Sequence, residues 1–306
     1  PLDSTRILVA NTGDDSLFIK GSKGTKTIFL RKILKEFEGP FQESLHLGPF
    51  DMALGDKEIV YLTNSYDDSI MKIDIENEKL LKYLKVGKNP TCIRKFNGKI
   101  YIANSDSNAI SIVDEENFTL IENISVGEKP TDIEIDEKNL KILIANGNCF
   151  NISILDLNKE SISSIFLNNY PIKILIEGKA IFILSYKNNG MSNYSNLSII
   201  DVETYKQINS IDIKGIFGSF VKIKGKLVFY LTNIEDGCVY RMHLDKSIKI
   251  SKIYLGGMPN NIIYDGSNKI YVSNIINNDL TVINSQLNKV IDNFKVGKEP
   301  NGIILL

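Results

Sequence analysis

"YIANSDSNAISIVD" (residues 101–114) and "YVSNIINNDLTVIN" (residues 271–284) repeat one pattern within a single chain. Each has a hydrophobic strand, an Asn, a short polar turn, a second hydrophobic strand and a closing Asp or Asn. The strand ending in Asn recurs as "ILVAN" (Asn11), "VYLTN" (Asn64), "IYIAN" (Asn104), "ILIAN" (Asn146), "FYLTN" (Asn233) and "IYVSN" (Asn274). A degenerate copy, "IFILS", ends at Ser185. Successive anchors lie 53, 40, 42, 39, 48 and 41 residues apart. A fixed period of this size marks a repeat architecture.

Proline supplies a second ruler. Six of the eight prolines fall at 49, 90, 130, 171, 259 and 300, at gaps of 41, 40, 41, 88 and 41. The wide gap is two periods, and the copy between reads "IKGIFGS" (213–219), with Phe217 at the proline position. The full element is "VGKNP" (86–90), "VGEKP" (126–130) and "VGKEP" (296–300), with the variants "LGGMP" (255–259) and "LGP" (47–49). Gly accepts positive φ and Pro fixes φ without donating a ladder hydrogen bond, so the pair marks a recurrent turn between strands.

Between anchors the pattern is β. "AISIVD" (109–114) and "DLTVIN" (279–284) alternate and are rich in β-branched residues, as half-buried strands are. Only "FLRKILKEF" (29–37) carries a helical period. Four short strands per repeat, seven times over, predict an all-β, seven-bladed β-propeller of four-stranded antiparallel blades. As one domain over 1–306, its blades span about 1–48 with 301–306, then 49–89, 90–129, 130–170, 171–216, 217–258 and 259–300. The first blade begins at its second strand, and "NGIILL" (301–306) is an innermost strand with no blade following. The two should combine and close the ring, removing exposed edges.

The unit "IYIANSDSNAISIVDEENFTLIENISVGEKPTDIEID" resembles the YVTN-type β-propeller repeat, whose name strand here reads YIAN or YVSN. The resemblance covers nearly the whole chain. A WD40 array should carry Trp-Asp and Gly-His pairs, but this chain has no Trp and two His. Kelch repeats need glycine doublets, and Gly256–Gly257 is the single one.

Composition narrows the function. With 36 basic and 37 acidic residues, the net charge of -1 argues against a nucleic-acid or anionic-membrane partner. Lys79, Lys82, Lys85 and Lys88 read as a solvated outer strand. The three cysteines, Cys92, Cys149 and Cys238, form no CxxC and no secreted-domain framework. No apolar run approaches the ~20 residues of a membrane span. A first strand beginning by Arg6 leaves no room for a signal peptide. The expectation is therefore a cytoplasmic protein, although a trimmed leader would make it extracellular or cell-surface.

In an antiparallel meander, the VGxxP turns and the turns after Asn share one face, the top. The residue two after each proline position should line the channel entrance there: Asp51, Cys92, Asp132, Lys173, Ser219, Asn261 and Gly302. The candidate ligand-binding residues are Asp51, Asp132, Lys173, Ser219 and Asn261. Oxygen donors from Asp51, Asp132 and Asn261 would suit one divalent metal in the central channel; the competing expectation is no cofactor and a hydrated funnel. The repeated Asn reads as turn architecture, bonding its own turn backbone.

Departures from the repeat are the other signal. The fifth blade lengthens its top-face loop, "SYKNNGMSNYSN" (185–196), offering Tyr186, Asn188, Met191 and Tyr194. The first blade gains "GSKGTKTIFLRKILKEFEGPFQES" (21–44), which alternation places between its third and fourth strands on the opposite face. Its apolar residues would form a docking segment or a longer outer strand.

No catalytic residues are identifiable. His46 and His243 fall in different blades, and GxSxG, GxGxxG and P-loop patterns are missing. The first reading is a non-enzymatic, monomeric propeller that presents its top-face funnel to a protein, peptide or small ligand. The alternative is a metal-dependent enzyme of the lactonase or lyase kind, which related propellers support. Single-stranded nucleic-acid binding is the second alternative, lacking a basic groove and Trp.

Overall fold

The computed structural model describes residues 6–22, 24–38, 46–188, 193–244 and 247–306. It is a seven-bladed β-propeller: seven antiparallel sheets of four strands each, six of them simple meanders. Strands A to D of blade 3 run Pro90–Phe96, Lys99–Asn104, Ala109–Asp114 and Thr119–Ser125, and the other blades follow the same order. The chain forms two compact units. One comprises Pro1–Met52, Asp74–Leu80 and Phe217–Leu306; the other comprises Ala53–Ile73 and Leu81–Ile216.

Strand A of blade 1 comes from the far end of the chain. Pro300–Leu305 pairs with Ile7–Asn11, setting Ile7 opposite Leu305 and Val9 opposite Ile303. Reciprocal amide bonds between Arg6 and Leu306 extend the pairing.

Burial grades across each sheet. Strand B of blade 3, "KIYIAN", is buried from Ile100 to Asn104, while strand D, "TLIENIS", is almost wholly exposed. Apolar clusters sit between consecutive sheets: Cys92, Tyr101 and Ile112 of blade 3 pack on Ile133, Ile142 and Ile144 of blade 4. Strands B and C are therefore covered on both faces. This corrects the half-buried expectation for "AISIVD": Ser111 faces not solvent but a hydrogen-bond pair, accepting from Asn104 Nδ2 at 2.8 Å and donating to Asn123 Oδ1 at 2.6 Å. A polar group so buried must be bonded, and here it is.

The two repeat signatures touch each other. Gly87, Gly127 and Gly297 of the VGxxP turns have ordinary φ, and the left-handed conformation falls instead just before proline, at Asn89, Lys129 and Glu299 (φ 52°, 53° and 52°). What demands glycine is space. A Cβ on Gly87 would lie 2.7 Å from Asn104 Cγ, and one on Gly127 would lie 2.5 Å from Asn146 Cγ. The anchor carboxamide lies against the glycine of the preceding turn. From there Asn11, Asn64, Asn104 and Asn146 donate to the hydroxyls of Ser16, Ser69, Ser111 and Ser153 on strand C. The expected bonding to turn backbone holds at Asn233 and Asn274, whose Oδ1 atoms accept from Glu235 and Asn277 amides respectively. The Asn is architectural throughout, by two geometries.

The insertion of blade 1 lies elsewhere than alternation suggested. Strand D already runs Gly24–Phe29, and the extra residues follow it as an α-helix, Leu30–Glu38. They therefore precede strand A of blade 2, on the top side. The helix buries Leu30, Ile33 and Leu34 and exposes Phe37, so its 3.6-residue period is the one expressed. Residues 39–44 of that stretch lie outside the described residues.

Candidate functional site

Strand A pairs with strand B through a bulge in blades 1, 3, 4, 5, 6 and 7. In blade 4 the register with strand B shifts between Pro130 and Asp132, so Asp132 pairs with Ala145; blades 3 and 5 shift likewise before Cys92 and Lys173. The bulge aims the second residue after proline, and the residue two further on, along the same face.

Asp132, Lys173 and Cys92 lie together. Asp132 Oδ1 accepts from Lys173 Nζ at 3.0 Å and from Arg94 Nη2 at 3.2 Å, with Cys92 Sγ at 3.6 Å. Its Oδ2 accepts the Ile174 amide at 2.9 Å. The carboxylate side chain is only 4% exposed, whereas both cations are 26% exposed. A buried anion is thus held by two cations that reach solvent.

Arg94 and Glu134 were not anticipated. Each follows a residue of the predicted ring by two along its strand, so carrying the strand period one step inward would have found them. Half-buried Glu134 accepts the Ile176 amide at 3.0 Å. Burial pushes its carboxyl up to about 6, with nearby Asp132 adding to the rise and the Ile176 amide, Arg94 and Lys173 opposing it.

The lengthened loop of blade 5 is a longer hairpin. Strands Ala180–Asn188 and Asn193–Asp201 continue the ladder through Tyr186–Ser195, Lys187–Tyr194 and Asn188–Asn193. Tyr186 donates to Asn193 Oδ1 at 3.3 Å, and Lys187 pairs with Asp212 at 2.8 Å, holding that carboxyl below its usual range. Met191 lies outside the described residues. A cleft of about 500 Å³ forms beside this hairpin, walled by Phe150, Tyr170, Tyr186, Asn148, Asn168 and Asn169. Phe150 is 49% exposed, and its ring lies 4.5 Å from that of Tyr170. Tyr186 thus belongs to a groove, while Tyr194 is not among its walls.

The remaining predicted residues belong to the other unit. Ser219 Oγ reaches Asn261 Oδ1 at 3.5 Å, and that oxygen also accepts the Ile262 amide at 2.9 Å. Gly302 packs against the backbone of Phe50 and Asp51, leaving no room for a Cβ.

Asp132, one of the three oxygen donors considered for a metal, is already engaged within the chain. Asp132 spends both oxygens on two cations and an amide, and a divalent ion there would sit beside two positive charges. Among the described residues no three His, Cys, Asp or Glu side chains gather in ligating geometry. His46 lies 3.6 Å from Asp15, whose carboxylate accepts the Leu47 and Gly48 amides and so fixes the entry into blade 2. Among the described residues no helix is long and apolar enough to cross a membrane.

Neither a protein-family profile nor a curated protein sequence matches the chain. Solved structures do. A candidate 6-phosphogluconolactonase of Bacteroides fragilis aligns with a TM-score of 0.76 at 12% identity, covering 99% of this chain and 98% of its own. Hydrazine synthase of Kuenenia stuttgartiensis aligns at 0.75 and 16% identity, over 86% of this chain and 92% of its own. The WD40 repeats of RRP9 align at 0.68 and 12% identity, over 88% and 83%. At such identities the likeness is one of fold, and fold does not choose a function.

Proposed function

We propose that the chain is a non-enzymatic, monomeric binding propeller of the YVTN type, which receives a partner segment or small ligand in the top-face groove of blades 4 and 5. The observation that carries this reading is the groove itself: Phe150, Tyr170 and Tyr186 offer ring faces, and Asn148, Asn168 and Asn169 surround them with carboxamides. Apolar walls with a few convergent polar groups are the usual form of a recognition pocket. Exposed rings at the rim of such a groove are typical binding anchors. Among the described residues the one cation there, Lys187, is paired with Asp212, so the groove suits a neutral peptide segment or neutral polar ligand. The charged ledge of Asp132, Arg94 and Lys173 supports the reading as a second recognition element. Arg94 and Lys173 each keep 26% of their side chain exposed and so present positive charge on the solvent side of the buried carboxylate.

A peptide array probed with the purified protein tests this. Phe150→Ala and Tyr186→Ala should each weaken the best peptide at least about tenfold with the fold intact. Equal binding by both variants refutes the groove.

A second reading, hydrolysis of the lactonase kind, is favoured by Glu134. A carboxyl raised to about 6 is suited to general acid–base work. A panel of lactones assayed with the wild type and Glu134→Gln tests it, and turnover abolished in the variant would displace the first reading.

A further inference from the structure

Blades 6 and 7 enclose a second cleft of about 500 Å³, at the blade ends remote from the VGxxP turns. It is shaped by the A–B turns of both blades and the C–D turn of blade 7. Its polar walls are Lys224, Lys226, Arg241, Ser267, Ser285 and Gln286. Among the described residues every charged wall residue is a cation. Asp265 sits in the turn that contributes Tyr264, Gly266 and Ser267, but its Oδ1 is taken by the amides of Ser267, Asn268 and Lys269 at 2.8, 2.9 and 3.0 Å.

Arg241 is the decisive residue. It lies on strand Cys238–Leu244, opposite Tyr230 in register, with its guanidinium 5.9 Å from that ring's centre. The Tyr230 hydroxyl is turned to the Ser285 carbonyl and Asn288 Oδ1, each at 3.1 Å. Arg241 Nε is buried, yet it meets no acceptor among the described residues. A buried cationic N–H without an acceptor is costly, so an acceptor from outside the chain is the economical explanation.

We propose that this cleft binds the phosphate group of a small phosphorylated molecule. A guanidinium presents paired donors to an oxyanion, and two flexible ammonium groups can close on the same dianion. Hydroxyls of Ser267 and Ser285 are within the walls to complete the shell. The volume exceeds that of phosphate alone, and Ile223, Val228 and Tyr264 form an apolar wall for the organic remainder. The cleft shares no wall residue with the groove of blades 4 and 5.

The test follows the Arg241 Nε–H cross-peak of the ¹⁵N-labelled protein during titration at constant ionic strength. The probes are inorganic phosphate, phenyl phosphate and benzoate. Both phosphates should shift the peak saturably, with phenyl phosphate at least about threefold tighter and benzoate at least about tenfold weaker than phenyl phosphate. The double variant Lys224→Gln/Lys226→Gln, which alters only exposed side chains, should weaken phosphate at least about tenfold. No saturable shift by about 20 mM, or the same titration in the double variant, overturns the proposal. Benzoate as tight as phenyl phosphate overturns the phosphate assignment, and inorganic phosphate binding tighter than the ester overturns the role of the apolar wall.

Discussion

Replacing Gly127 by Ala should break the contact between the two repeat signatures of blade 4. The new Cβ would fall 2.5 Å from Asn146 Cγ and 2.8 Å from Asn146 Cβ, so the carboxamide must move. Asn146 Nδ2 donates to Asn151 Oδ1 at 2.6 Å and to Ser153 Oγ at 2.9 Å. Two such bonds contribute roughly 1 kcal/mol each, and forcing a methyl into a filled site costs roughly 1–3 kcal/mol more. Gly127→Ala should therefore destabilise the fold by at least about 3 kcal/mol, read from urea denaturation at unchanged slope. Asn146→Ala alone should cost about 2 kcal/mol, for the lost bonds and the stranded Ser153 hydroxyl. In the double variant the methyl introduced at position 127 occupies space vacated by the carboxamide, so its cost should stay near that of Asn146→Ala. The sum of the single costs would be at least about 5 kcal/mol, and the shortfall of at least about 3 kcal/mol is the coupling. A cost below about 0.5 kcal/mol for Gly127→Ala, or additivity within about 0.5 kcal/mol, would show that glycine is not there for the carboxamide.

Other expectations follow from single contacts. Asp132→Ala leaves Arg94 and Lys173 facing each other without their shared anion, and should cost about 3 kcal/mol, partly recovered by adding Lys173→Met; denaturation midpoints of the three proteins decide this. Glu134 titrates near 6 in the folded chain against an ordinary 4.5, so the native state holds this proton more tightly than the unfolded chain. Its ionisation therefore costs up to about 2 kcal/mol above pH ~6, a penalty that fades as pH falls and is gone below about 4.5. Glu134→Gln should consequently be the more stable protein at pH 7 and lose that advantage by about pH 4.5, in parallel pH series. Buried Tyr61 donates to Glu115 Oε1 at 3.0 Å, and Glu115 also holds Lys95 at 2.6 Å. Tyr61→Phe should cost about 1 kcal/mol, and a neutral result would mean that the Lys95 pair satisfies Glu115 alone.

The amino-acid sequence by itself determined the number of blades, the strand order and the donor of the last inner strand. Those follow from patterns repeated every 39 to 53 residues, because a strand, its turn and its next partner are chain neighbours whose pairing is set by local period and local turn chemistry. The ring positions Asp132 and Lys173 were legible for the same reason, being counted from a repeated proline. Where the insertion of blade 1 enters was not: nothing local separates an outer strand ending at Phe29 from one that runs on, and burial of Leu30, Ile33 and Leu34 selected the helix. The function of the VGxxP glycine was also hidden, since its partner is an Asn 17 to 19 residues on, as from Gly87 to Asn104 or Gly127 to Asn146. Only tertiary packing decided the two clefts. The groove walls come from 147–150, 168–170 and 186–187, and Arg241 meets turns at 224–226, 264–267 and 285–286. Neighbouring sheets bring such turns together through side-chain packing, which leaves no periodic trace in any one segment.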